Sequence, residues 1–224
     1  MCGRFVGFST LEMLQEHFPI DVADVQVTPN FNVAPTQEIL AIARYEDKNH
    51  LLKYHWGLVP FWAKDLSIGS RLINARSETA ATKPSFRTAF KERRCLIPSN
   101  GFYEWKGAKG QKQPVFLTLP DGNPFAFAGL WENWDNKGKE ESLYRSCTIL
   151  TRAASESVMP IHHRMPVILK PEAFDTWIDP ENQDINSLLE IIQSQIYTEL
   201  TSVSVSKQVN SVRNNEPENI QAIK

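Results

Sequence analysis

Apolar residues in this chain are gathered into many short runs, each about the length of one strand, interleaved irregularly with a few helical repeats. No other feature limits the fold as strongly, because strand-length runs must pair with one another to bury their backbone polar groups. Strand-like runs fall at residues 39–44, 51–56, 96–98, 101–105, 115–119, 125–131, 147–151, 167–169 and 200–206, the last by strict alternation. A polar stretch at 46–50 separates the first two, and Pro120-Asp121-Gly122-Asn123 predicts a hairpin turn between 115–119 and 125–131. Ser9 and Glu12 form a capping-box pattern ahead of Leu11, Leu14 and Phe18, which predicts a helix over about 10–18. Further helices are expected from Pro84 to Arg94, with Phe86 and Phe90 on one face, and at about 171–178 and 184–196. This irregular order argues against a doubly wound sheet. The expected fold is a single α+β domain over residues 1–224: a mixed, strongly curved β-sheet or open barrel flanked by a few helices.

Hydrophobic residues at 42% and charged residues at 22% exclude a disordered chain, and no apolar run approaches the roughly 18 residues of a membrane span. The N-terminus lacks the basic-then-apolar pattern of a signal peptide, so a cytoplasmic location without membrane contact is expected. Three widely spaced Cys, at 2, 95 and 147, fit free thiols in a reducing compartment. No metal-binding spacing of Cys or His is present, and neither metal nor other cofactor is expected. Net charge is −2, yet between Arg71 and Lys112 ten basic residues face three acidic ones, a local +7 that leaves −9 for the remainder. A bipolar chain of this kind can offer phosphate a basic face while remaining acidic overall.

The chain opens Met1-Cys2-Gly3-Arg4-Phe5. Initiator Met is commonly trimmed before a small side chain, and its removal would leave Cys2 with a thiol and a free α-amine on adjacent carbons. Both groups have nucleophilic forms accessible near neutral pH. Together they can do what a lone thiol cannot: the amine forms an imine with an aldehyde, and the thiol closes a five-membered thiazolidine in an intramolecular step. Class II glutamine amidotransferases also open Met-Cys-Gly, so the opening alone leaves an N-terminal-nucleophile amidohydrolase or peptidase open. A single-stranded DNA-binding module without chemistry is a third reading of the same basic and aromatic residues.

Downstream, in order, stand Asn32-Val33-Ala34-Pro35-Thr36, Trp56-Gly57-Leu58-Val59-Pro60-Phe61-Trp62, Asn74-Ala75-Arg76-Ser77-Glu78-Thr79, Arg94-Cys95-Leu96-Ile97-Pro98, Gly101-Phe102-Tyr103-Glu104-Trp105-Lys106 and Ile161-His162-His163-Arg164-Met165-Pro166. With the opening in front, they closely resemble the SOS response-associated peptidase family, also called abasic-site processing proteins, from residue 1 to the Val209-Asn210 region. The resemblance implies a DNA-damage response protein that crosslinks Cys2 to abasic sites in single-stranded DNA. It also implies trimming of leader residues, and slow strand scission through the imine is expected as a side branch. A monomer without an obligate protein partner, associated with the nucleoid when bound to DNA, is expected.

The motif match assigns catalytic roles to Cys2, Glu104, His162 and Asn74. Glu104 lies among Phe102, Tyr103 and Trp105, where a partly desolvated carboxyl suits the proton transfers of imine formation. The motif match selects His162, an imidazole suited to protonating the sugar ring oxygen or the imine nitrogen, and His163, adjacent in an extended segment, is expected on the opposite face. If 72–76 is extended, Asn74 and Arg76 share a face that can hold the opened sugar and a flanking phosphate. Arg4 is a second phosphate ligand in this reading, Phe61 and Trp62 stack on a base beside the lesion, and Pro35 belongs to the same DNA-binding surface. Trp56 and Trp105 are assigned to the core.

Overall fold

The computed structural model describes residues 2–108, 110–135 and 143–223. In chain order its strands begin β1 (Phe5–Gly7), β2 (Val22–Ala23), β3 (Asn30–Val33), β4 (Glu38–Tyr45) and β5 (Lys48–Trp56). They continue as β6 (Asn74–Arg76), β7 (Arg94–Ser99), β8 (Gly101–Lys106), β9 (Gln113–Thr118) and β10 (Phe125–Asp135). The remainder are β11 (Leu143–Ala153), β12 (Arg164–Pro166), β13 (Ile168–Leu169) and β14 (Thr201–Ser204). Five α-helices accompany them: α1 (Leu11–His17), α2 (Ser77–Ala80), α3 (Arg87–Glu92), α4 (Phe174–Ile178) and α5 (Ile185–Ser194).

Strands β11, β10, β7, β4 and β5 neighbour one another in that order, all antiparallel. A parallel seam of His55 with Ser146 and Trp56 with Cys147 then joins β5 back to β11, so the curved sheet expected from the sequence closes into a five-stranded mixed barrel. Beyond the seam β6 takes the place of β5 alongside β11, pairing Asn74 with Ile149 and Arg76 with Thr151. A second sheet, antiparallel throughout, runs β14-β9-β8-β1-β3. The barrel strands bury both faces. Ala41, Ala43, Tyr54, Trp56, Ile97, Phe127 and Ile149 pack with Phe5, Phe102 and Leu117 of the second sheet. The alternate residues Ile42, Leu51, Leu96, Ala128 and Leu150 pack with Phe18, Phe90, Trp177 and Leu188 of the helical layer. Two buried faces explain why these strands read as nearly continuous apolar runs.

Several local expectations change in tertiary context. The Pro120–Asn123 turn forms, with Gly122 at φ +74°, but it joins no hairpin: β9 pairs with β8 and β14, whereas β10 pairs with β7, β11 and β13. Turn chemistry dictates reversal of the chain, not which strands pair. At the β4–β5 hairpin the connection shrinks to Glu46 and Asp47, both at positive φ, so 48–50 belong to the strand. Thr10 caps α1 by accepting from the Met13 N–H, while Ser9 is buried against Asn100. The expected helix from Pro84 to Arg94 contracts to α3. Arg94 instead opens β7 and is buried, donating to the carbonyls of Phe90, Trp177 and Asn182.

Candidate active site

Cys2 is wholly buried at the entrance to β1. Strand β1 lies against β8 with Phe5 opposite Phe102, and the Tyr103 N–H donates to the Arg4 carbonyl at 3.0 Å. The antiparallel register therefore brings Glu104 to the start of the chain. Glu104 is only 3% exposed, and burial, with the Glu104 carboxylate second, pushes the Cys2 thiol far above its usual range. From the other side, Asn74 on β6 donates its Nδ2 to the Cys2 carbonyl at 2.7 Å. Its Oδ1 is buried and has no hydrogen-bond partner among the described residues. His162 Nδ1 lies 4.0 Å from Glu104 Oε1. Cys2, Asn74, Glu104 and His162, scattered through the chain, thus meet at one point where the two sheets adjoin.

His162 sits in a turn rather than an extended segment, so strand alternation does not apply to it. The rings of His162 and His163 stack at 4.4 Å with 28° between planes, in place of the opposite faces expected. The Arg164 N–H donates to His162 Nδ1 at 3.0 Å. The Arg164 guanidinium grips Glu78 with both outer nitrogens, at 2.5 and 3.0 Å, and donates to the Thr151 carbonyl at 2.6 Å. Glu78 belongs to α2, which follows directly on β6. One bidentate pair therefore ties the strand bearing Asn74 and Arg76 to the turn bearing His162.

Asn74 and Arg76 do share a face, for Ala75 between them is buried and Arg76 points to solvent. Phe61 and Trp62 are 55% and 49% exposed. Their loop is anchored by the Val59 N–H on Ser146 Oγ (2.8 Å) and by Trp134 Nε1 on the Ala63 carbonyl (2.8 Å). Its base is a close backbone approach: Gly57, at φ +137°, has room for no side chain, since a Cβ would stand 2.6 Å from the Gly69 carbonyl oxygen. Half-buried Pro35 precedes Thr36, whose N–H donates to the Trp56 carbonyl beside this loop.

Arg4 is held differently from expectation. Its guanidinium donates to Asn32 Oδ1 at 2.6 Å and to the carbonyls of Val209 and Asn210 at 2.8 and 3.3 Å, fastening the C-terminal segment. The basic run also divides. Arg71, Arg76, Lys83, Arg87, Lys91, Lys106 and Lys112 are exposed, Arg94 is buried, and Arg93 is paired with Glu92 and Glu132; Lys109 lies outside the described residues. Trp56 is a core residue, whereas Trp105 is only half-buried and donates to Asn210.

Residues 1–212 match the family described as SOS response associated peptidase (SRAP). The chain belongs to that family. The abasic site processing protein YoqW of Bacillus subtilis is 44% identical over 99% of this chain and 100% of its own length. The abasic site processing protein YedK of Escherichia coli is 33% identical over 81% of each. A crystal structure of a Bacteroides thetaiotaomicron protein superposes with a TM-score of 0.84 over the full length of both chains at 22% identity, a likeness of fold.

Within this SRAP chain, Glu78, Arg164 and Thr151 are the residues that reading along the sequence did not single out. Two of them carried a signal, since Glu78 lies in the same short motif as Asn74 and Arg164 in the same one as His162. Thr151, which meets Arg164 with its carbonyl and its Oγ1, stands in none of the motifs and carried none.

Proposed function

We propose that the protein processes abasic sites in DNA by capturing the ring-opened aldehyde as a thiazolidine on Cys2, after removal of Met1. The observation that carries this reading is the pinning of the Cys2 carbonyl by Asn74 while Glu104 and His162 stand alongside. An acid/base group beside the start of the chain is what imine chemistry requires. His162 protonates the sugar ring oxygen as the ring opens. The Cys2 α-amine adds to the aldehyde carbon, and Glu104 gives a proton to the departing hydroxyl, so that water leaves and an imine forms. The thiol proton passes to Glu104 as the Cys2 sulfur bonds to the carbon of this protonated imine, and the C=N electron pair returns to nitrogen, which keeps its one proton as a neutral secondary amine. One aldehyde, one amine and one thiol thus give one thiazolidine and one water. Because burial keeps the thiol protonated, a nearby base is needed for ring closure. Glu104 serves both steps, having released its proton in the first. The orphan Asn74 Oδ1 is an acceptor for a sugar hydroxyl.

Single-stranded DNA is the substrate that suits exposed Phe61 and Trp62, which stack on unpaired bases, and exposed Arg76, which takes a flanking phosphate. Duplex DNA keeps the lesion stacked, and extruding it costs on the order of a few kcal/mol. Trimming of the leader and slow β-elimination from the imine are side branches of this scheme. The test is a denaturing gel of protein with an oligonucleotide bearing one abasic site, alongside the mass of the N-terminal peptide. A heat-stable adduct on Cys2, absent in Cys2→Ala, is expected. An equally stable adduct in Cys2→Ala overturns the thiazolidine, and binding without any adduct returns the protein to a non-covalent role.

A further inference from the structure

The turn from Val158 to His163 stands beside the Glu104–His162 pair and displays groups that the chemistry above leaves unused. Met159 is 53% exposed, and the His163 ring is exposed with one face laid on His162. The turn is built to hold its shape. The Met159 N–H donates to Ser155 at 2.8 Å, the N–H groups of Ile161 and His162 donate to Val158 at 2.8 and 3.0 Å, and the Ala154 N–H donates to His163 at 3.1 Å. A flat ring fixed at the edge of a DNA-processing site can meet a phosphate as a cation or a base as a stacking face. Here the neighbouring His162 ring holds the His163 imidazole below its usual value, which disfavours the charged form that a phosphate contact needs. A strand with a missing base also leaves the adjoining base with one face uncovered, which favours any rigid aromatic surface within reach.

We infer that His163, backed by His162, is a second base-stacking platform, separate from Trp62, for a nucleobase adjoining the lesion. This rests on the abasic-site reading above, and the experiment keeps the two apart. Cys2→Ala protein is titrated with single-stranded oligonucleotides carrying 2-aminopurine on the 5′ or the 3′ side of one tetrahydrofuran abasic-site analogue, which has no aldehyde for the α-amine to attack, so that complexes stay non-covalent. Quenching is expected on at least one side; His163→Ala in that background should abolish it on the side that His163 covers, leaving any quenching by Trp62 on the other, and weaken binding roughly tenfold, the order of one base–aromatic stack. His163→Phe, which keeps a flat ring and loses the nitrogens, should restore both. Quenching that survives His163→Ala on both sides overturns the platform, as does a His163→Phe protein that behaves like His163→Ala. If unsubstituted protein neither binds nor crosslinks the abasic strand in a parallel gel, the underlying reading fails and the platform with it. Thermal unfolding of each variant confirms that the exposed substitution leaves the fold intact.

Discussion

At the scale of single residues, the two proton-transfer groups should be separable. Glu104 acts on the imine, so Glu104→Ala should slow adduct formation on every aldehyde by about 10² or more, the usual effect of a lost general acid/base. His162 acts on the closed sugar, so His162→Ala should hurt less, and its defect should shrink with a simple aldehyde that needs no ring opening. Single-turnover crosslinking of both variants on both substrates measures this; equal impairment of His162→Ala on the simple aldehyde contradicts the division. Asn74 has a different duty, since its amide touches the Cys2 carbonyl rather than the thiol. Losing that contact frees the nucleophile to drift, and misplacement by an ångström costs on the order of 10²-fold in rate. Asn74→Ala and Asn74→Asp should therefore both crosslink slowly while unfolding within about 1 kcal/mol of the parent in urea. A fast Asn74→Asp protein would show that the donated hydrogen bond is dispensable.

At the scale of elements, two connections hold the site in register. The loop carrying Phe61 and Trp62 depends on the Gly57–Gly69 approach, where a methyl group would strike a carbonyl oxygen and a left-handed φ disfavours any side chain. Gly57→Ala should lower stability by about 1–3 kcal/mol and weaken single-strand binding. Trp62→Ala should weaken binding with little change in Tm, because the ring is exposed. The second connection is Arg164 with Glu78. Hydrogen bonding from Arg164 holds the Glu78 carboxyl below the ordinary carboxylate range. A depressed folded value means that the contribution is present above the unfolded pKa and is lost as pH falls through the folded one. Stability of Glu78→Gln should thus lie below that of the parent at neutral pH and converge with it in acid. Glu78 is half exposed, so the gap should stay within about 1 kcal/mol, the range of a surface pair. Urea midpoints at pH 7 and pH 3 decide it.

At the scale of the whole molecule, burial of three thiols makes a prediction at the alkaline end. Cys2, Cys95 and Cys147 are each wholly buried, and desolvation raises each thiol above its ordinary value; burial likewise pushes Tyr45 up to about 12. Above the ordinary thiol pKa the unfolded chain releases protons that the folded chain retains. The folded state then binds more protons than the unfolded one, and stability falls as pH rises. Each thiol contributes up to about 1.4 kcal/mol per pH unit in that window. Unfolding midpoints should be nearly level from pH 7 to about 8 and drop steeply by pH 10, with a shallower drop in Cys147→Ala. A level profile to pH 10 would mean that these thiols are reached by solvent.

Much of this molecule is legible along the chain because it rests on local chemistry. The short apolar runs at Leu96–Ile97, Phe125–Trp131 and Cys147–Leu150 mark strands wherever those strands end up. Asn74 and Arg76 share a face because alternation in β6 requires it, and the Cys2 opening announces an amine beside a thiol whatever surrounds it. Contacts between distant segments are another matter. Nothing around Pro120–Asn123 reveals that β9 and β10 part company, since β10 is already saturated by β7 and β11, and Gly129 lies against Cys95 with no space to spare. That carbonyls more than two hundred residues away engage Arg4 is likewise invisible along the chain. His162 and His163 look divergent until the chain turns at that point and stacks them. Closure of the barrel rests on two residue pairs between β5 and β11. Residue type and period record what each segment can offer, but which offers meet is settled by packing both faces of one sheet at once, a condition that no segment carries by itself.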